Sequence, residues 1–125
     1  MALTNAGRDA IAKLLVGDAQ TLFNAANAHI GAGNGTTAFA ASQTDLQGAS
    51  KTRKAMEATY PSRASNVITF RSLFGTSDAN YAWEEWGVFN GASGGEMLNR
   101  KVESLGTKTS AQSWQITAQL TITAG

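Results

Sequence analysis

Cysteine is absent from the chain. That removes disulfide bridges, thiolate metal sites and cysteine nucleophiles, and it leaves packing, helped by association between copies, as the means of stabilisation. Histidine occurs once, at His29. A His-rich metal site is therefore excluded, and a Ser-His-Asp arrangement would have to recruit that single ring across the fold with no Gly-x-Ser-x-Gly elbow to present the serine. A lone histidine in a strand-like segment reads as a structural or surface residue. Only 15% of residues are charged, and ten Lys and Arg stand against nine Asp and Glu. No field of one sign gathers nucleic acid or anionic lipid, so neither is expected as a partner. Long apolar runs are missing too. The stretch from Ile11 to Val16 is interrupted by Lys13, is far too short to span a bilayer, and has no signal-peptide architecture, so the chain is expected to remain in the cytosol where it is made.

The remaining chemical candidates read as architecture. Glu84 and Glu85 are adjacent, and neighbours in a strand point to opposite faces, so the pair cannot share a substrate. One of them is expected to be buried against Arg71 or Arg100, with the other solvated. Gly31-Ala32-Gly33-Asn34-Gly35 lacks the lysine of a phosphate loop and the spacing of a dinucleotide loop, and reads as a turn. Lys51-Thr52-Arg53-Lys54 reads as a solvated face or a bridge to acidic neighbours. Trp83, Trp86, Phe89 and Trp114 fit core packing better than a carbohydrate platform, because large aromatics dominate cores and interfaces alike. A host-surface glycan stays open as a minor partner. No enzyme activity, cofactor or metal is expected.

What is present is β patterning. At 125 residues the chain is expected to form one domain over residues 1–125. A helix is predicted over about 4–16, with Thr4 as N-cap, Gly17 as stop, and Leu3, Ile11, Leu14 and Leu15 on one face. A short strand over 27–33 is expected to leave through an Asn34-Gly35 type I′ turn. Residues 38–50 read as a loop or a single helical turn whose one large aliphatic residue is Leu46. Residues 66–74 alternate, with Ile68, Phe70 and Phe74 on one side. Residues 81–89 and 97–102 suggest a hairpin with a flexible Gly-rich tip at 90–95. Trp114, Ile116, Ala118, Leu120 and Ile122 alternate strictly with Ser, Thr and Gln. The expected fold is mainly β, an antiparallel β-sandwich over about 27–123 carrying one N-terminal amphipathic helix.

Several of these residues carry a resemblance. Leu3-Thr4-Asn5-Ala6-Gly7-Arg8, Gly31 to Gly33, Thr44-Asp45-Leu46, Trp83 to Asn90 and Gly95-Glu96-Met97-Leu98-Asn99-Arg100 together resemble the bacteriophage tail-collar and tail-fibre proteins and their small virion relatives, over nearly the whole chain. The family's most recognisable feature is matched by Glu85, Gly87, Val88, Phe89 and Asn90, with the aliphatic Leu98 after the turn. The resemblance implies a non-catalytic attachment or adaptor module of a virion, made in the host bacterial cytoplasm, without cofactor and forming a homo-oligomer, by expectation a trimer. Its partners would be other tail or capsid subunits. Long fibres continue into repetitive shafts, whereas this chain stops at Gly125, so a short fibre, a collar adaptor or a capsid decoration protein is the expectation. Leu3, Ile11, Leu14 and Leu46 are the expected assembly contacts, because the N-terminal stretch, the 38–50 loop and the 90–95 tip offer little to a core of their own.

Overall fold

A computed structural model describes residues 1–124. One helix, α1 (Asn5–Val16), precedes seven strands: β1 (His29–Gly33), β2 (Lys51–Ala55), β3 (Ser62–Ala64), β4 (Val67–Phe74), β5 (Ala82–Phe89), β6 (Lys101–Thr107) and β7 (Trp114–Thr121). They form two antiparallel sheets, ordered β2-β1-β5-β6 and β3-β4-β7. The mainly β sandwich with a single N-terminal helix is thus the observed fold.

The helix begins and ends on the expected residues. Thr4 accepts a hydrogen bond from the Gly7 N–H, and Gly17 takes a left-handed φ of 80° that returns its N–H to the last turn. It is docked and does not hang free. Thr4 Oγ1 also donates to the Met97 carbonyl, and the Thr4 N–H donates to Leu98 O at 3.1 Å. Gly7 sits so close to that segment that a Cβ would lie 2.3 Å from Leu98 O, so the first helical turn rests on backbone that any larger residue would push away.

Between the sheets, Ile30, Phe70, Val88, Leu98 and Ala118 form the main core, with Leu3 and Ile11 packed against it. A second cluster joins Ala32, Phe74 and Trp83. The Trp83 ring stands edge-on to Phe74 at 4.7 Å and to Trp114 at 5.1 Å, a favoured aromatic geometry. Strict alternation would place Trp83 and Glu85 on one face. A bulge in the β5–β6 pairing between these two residues inserts an extra position. Trp83 and Trp86 can then both serve the inter-sheet side while Glu85 faces away from it.

Two expectations fail here. Asn34-Gly35 makes no tight turn: neither residue has positive φ, and β1 reaches its neighbour β2 only after the long segment 34–50, whose ends are tied by Asn34 N–H to Ser50 O and Ser50 N–H to Asn34 Oδ1 at 3.0 and 3.1 Å. The charged run 51–54, read as a solvated face or a bridge to acidic neighbours, lies in strand β2, with Lys51 and Arg53 against Asp45 and Lys54 against Asp78. Ile122 lies beyond the end of β7 and is 60% exposed, and of the inward residues of β7 only Ala118 is fully buried. The cause is position, since β7 is an edge strand with β4 on one side only. Leu120→Ala should accordingly cost about 2 kcal/mol, the low end for a leucine truncation, while Thr121→Ala should change little. Equal shifts of the two variants in urea melts would refute the alternation.

Candidate functional site

Some of the residues that carry the resemblance, Glu85, Phe89, Met97 and Arg100 among them, meet on the outer face of the four-stranded sheet, under the 34–50 segment. At the centre is Glu85, fully buried although charged. Its Oε1 accepts from Arg100 Nε at 2.7 Å and from the Gln47 N–H at 2.8 Å. Its Oε2 accepts from the Gly35 and Gly48 N–H groups at 2.8 and 2.7 Å. Arg100 is equally buried, and its Nη1 donates to Gln43 Oε1 at 3.1 Å. Of the two alternatives read from sequence, Arg100 is therefore the partner and Arg71 is not. Four donors saturate the carboxylate and leave no face for a substrate; the arrangement fastens a loop that lacks secondary structure to strand β5.

A second fastener closes the tip. Arg53 lays its guanidinium over the Phe89 ring at 3.6 Å and donates through Nη1 to the Gly91 and Gly94 carbonyls at 2.9 Å each. Its Nη2 approaches Asp45 at 3.4 Å, and Lys51 binds the same carboxylate at 2.8 Å. Asn90 completes the turn: its Oδ1 accepts from the Glu96 N–H at 2.8 Å, and its Nδ2 donates to Glu96 Oε2 at 2.9 Å and to Thr21 O at 3.1 Å. The Gly-rich tip is thus held at both ends, contrary to the free hairpin tip expected. The role of Arg53 escaped a reading of spacing because the carbonyls it holds lie 38 and 41 residues away, whereas Arg100 was one of the two arginines expected against a buried glutamate.

The other motif residues are equally internal. Gly87 approaches the β5–β6 connection so closely that a Cβ would stand 2.4 Å from Asn99 O. Val88 donates its N–H to Asn99 Oδ1 at 3.0 Å, and Leu98 returns its own to Val88 O at 2.7 Å. Leu46 is buried in a small cluster with Phe89 and Met97. That corrects its expected place among exposed assembly contacts, and it corrects the view that 38–50 gives nothing to a core. Leu3, Ile11 and Leu14 remain partly open. With Leu15, Ile68 and Leu120 they line an apolar groove of about 620 Å3 between α1 and the ends of β4 and β7, flanked by Ile122. Leu15 and Val16 stand out beside it at 85% and 72% exposure.

His29 contacts the Asn27 carbonyl through Nδ1 at 2.8 Å, and among the described residues no group of three or more His, Cys, Asp or Glu lies together. No helix among them is long and apolar enough to cross a membrane. Trp83 is buried, while Trp86 donates its Nε1–H to Glu103 at 2.8 Å beside an open cleft shared with Trp114.

Asp45 is the loop's electrostatic handle. Burial works to raise its pKa, but the Lys51 ammonium, the Leu46 N–H and Arg53 outweigh that and hold the carboxyl below its ordinary value. A folded-state pKa below the unfolded one stabilises above the unfolded value of about 3.9 and loses that effect as pH falls through the lowered value. Amide exchange over residues 44–51 should therefore rise relative to β5 as the pH drops below about 4. A ratio that stays flat down to about pH 2 would show the Asp45 contacts to be idle.

Comparison with known protein families, with curated proteins and with solved structures finds no match to this chain.

Proposed function

We propose that this chain is a non-catalytic structural component of a bacteriophage particle, an attachment or adaptor module of the tail-fibre or collar type. The observation that carries the reading is the fate of the motif residues. Thr4, Gly7, Glu85, Gly87, Asn90 and Arg100 are all spent on fastening one segment of the chain to another, which is the use a scaffold makes of polar residues. The partners are other virion subunits. Copies of the chain associate, three being the number that the resemblance implies.

The contact surface in this reading is the groove between α1 and the end of the three-stranded sheet, where Leu14, Leu15 and Ile122 leave apolar surface uncovered. Immunogold labelling of purified particles tests the assignment. Label at the tail or collar is the expected result, and label spread over the head would transfer the chain to capsid decoration. Particles that lack the protein altogether would overturn the reading. Leu15→Asp should fold normally, because the side chain is already exposed, and should be depleted from particles by several-fold. Undiminished incorporation would move the contact away from the groove.

A further inference from the structure

The two sheets of the sandwich are unequal, with three strands set against four. β4 lies over β1 and β2. β7 follows on the side of β5, where Trp114 meets Trp83 and Ala118 shares the main core with Val88. No strand of the smaller sheet stands opposite β6. The unfilled position is a cleft along the β6–β7 seam. Its first part, about 420 Å3, is lined by Trp83, Trp86, Glu103, Leu105, Trp114 and Thr117. A second part of about 350 Å3 continues past Trp86 and Thr117 to Lys101 and Gln119, and ends at Met1 and Ala2.

An edge strand invites pairing unless charge, proline, a bulge or shortness discourages it. Three of the four edges here are protected in this way. β2 carries Lys51, Arg53 and Lys54, β3 has only three residues, and β6 carries Lys101 and Glu103, pairs with β5 through a bulge, and contains Gly106 at φ 102°. β7 has none of these devices. Its eight residues run in unbroken register against β4, without charge, proline or glycine. Among the described residues no backbone hydrogen bond joins β7 to any strand but β4. Its inward residues Trp114, Ile116 and Leu120 stay only partly covered.

We infer that the free edge of β7, with the cleft beneath it, is an acceptor for one extended segment of another polypeptide. The segment adds a fourth strand to the smaller sheet by main-chain pairing. The occupant is a single arm and not the β7 edge of a second copy. Joining two β7 edges with their apolar faces on one side would drive each copy's β6, which projects beyond β7, into the partner's four-stranded sheet. An antiparallel arm matching β7 is about eight residues long and spans about 27 Å. Alternate side chains of the arm turn inward onto Trp86, Trp114 and Leu105, so they are apolar and uncharged. Those between them extend the Gln115, Thr117 and Gln119 face and are polar. This surface is distinct from the α1 groove and rests on the strand order, whatever particle the chain serves.

The test is the full chain extended at its C-terminus by a short Gly-rich turn and an eight-residue strand alternating Val and Thr, compared with a version whose alternation is shifted by one residue. Amide exchange along Trp114–Thr121 should slow on the order of tenfold in the first version, with the amides of β1 and β5 as the fold reference. Slowing should be much weaker in the shifted version, which turns Thr into the cleft. Unchanged exchange in both versions would overturn the inference. Equal slowing in both would show an edge that pairs without selecting what enters the cleft, and would overturn the stated chemistry of the arm. The same strand supplied as a free peptide to the unextended chain repeats the measurement if either extension prevents folding.

Discussion

Glu85→Ala is expected to destabilise the chain by about 3–5 kcal/mol, because removing one member of a buried ion pair leaves the other charged and without compensation. Here the loss is compounded. Arg100 stays fully buried, and the Gly35, Gln47 and Gly48 N–H groups lose their acceptor, each an unmet donor costing about 1–3 kcal/mol if water does not reach it. Part of that cost is relieved by local opening of 34–50, so the urea midpoint should fall and exchange over this segment should rise more than over β5. Arg100→Met should behave alike. The double variant Glu85→Leu, Arg100→Met should lose clearly less than the sum of the single losses, since no charge is then left buried. Single losses below about 1 kcal/mol would show that the carboxylate is not a fastener.

Trp83→Ala should cost at least as much, about 3–5 kcal/mol as a large-to-small change in a packed core. Trp83 is the largest fully buried side chain, and it touches both Phe74 and Trp114 edge-on. Its Nε1–H donates to the Ala79 carbonyl at 2.9 Å, so the variant also removes one of the two hydrogen bonds that this carbonyl accepts, the other coming from the Tyr81 N–H at 3.0 Å. The comparison residue is Trp86, a ring of the same size at the open seam whose indole N–H is bonded to Glu103. Trp86→Ala should cost less by at least about 1 kcal/mol because water can enter the site. Equal losses for the two tryptophans would show that the seam is closed in solution, and would remove the vacancy on which the acceptor edge depends.

The readings that depended on near neighbours in the chain were legible. Thr4 and Gly17 bracket α1 because capping is decided within three or four residues. β4 and β7 follow from period-2 alternation, since the face of a strand that meets a core must be apolar at every second residue. That one of Glu84 and Glu85 is buried against an arginine could also be read, because an acidic residue inside an aromatic strand needs a cation. Which arginine it would be could not.

The rest emerges only on folding, and in each instance the cause is a contact between residues far apart in the chain. Asn34-Gly35 has the local chemistry of a tight turn, yet the Gly35 N–H is drawn to Glu85, 50 residues away, and the chain runs on to Ser50 before it returns. Leu46 looks like a lone aliphatic in a polar loop until Phe89 and Met97 are folded over it. Strand β2 hides under three cations because its partner β1 supplies glycines and small residues, leaving Arg53 room to lie across Phe89. Ile122 continues the alternation of β7 but not its burial, for period 2 tells which face a residue takes and cannot tell where the opposing sheet ends. The fold class, the helix and the two best strands were written in the order of residues, because short-range sterics and alternation set them. The loop clamp, the strand order and the open seam depend on pairings across the whole chain, and those exist only once the two sheets have come together.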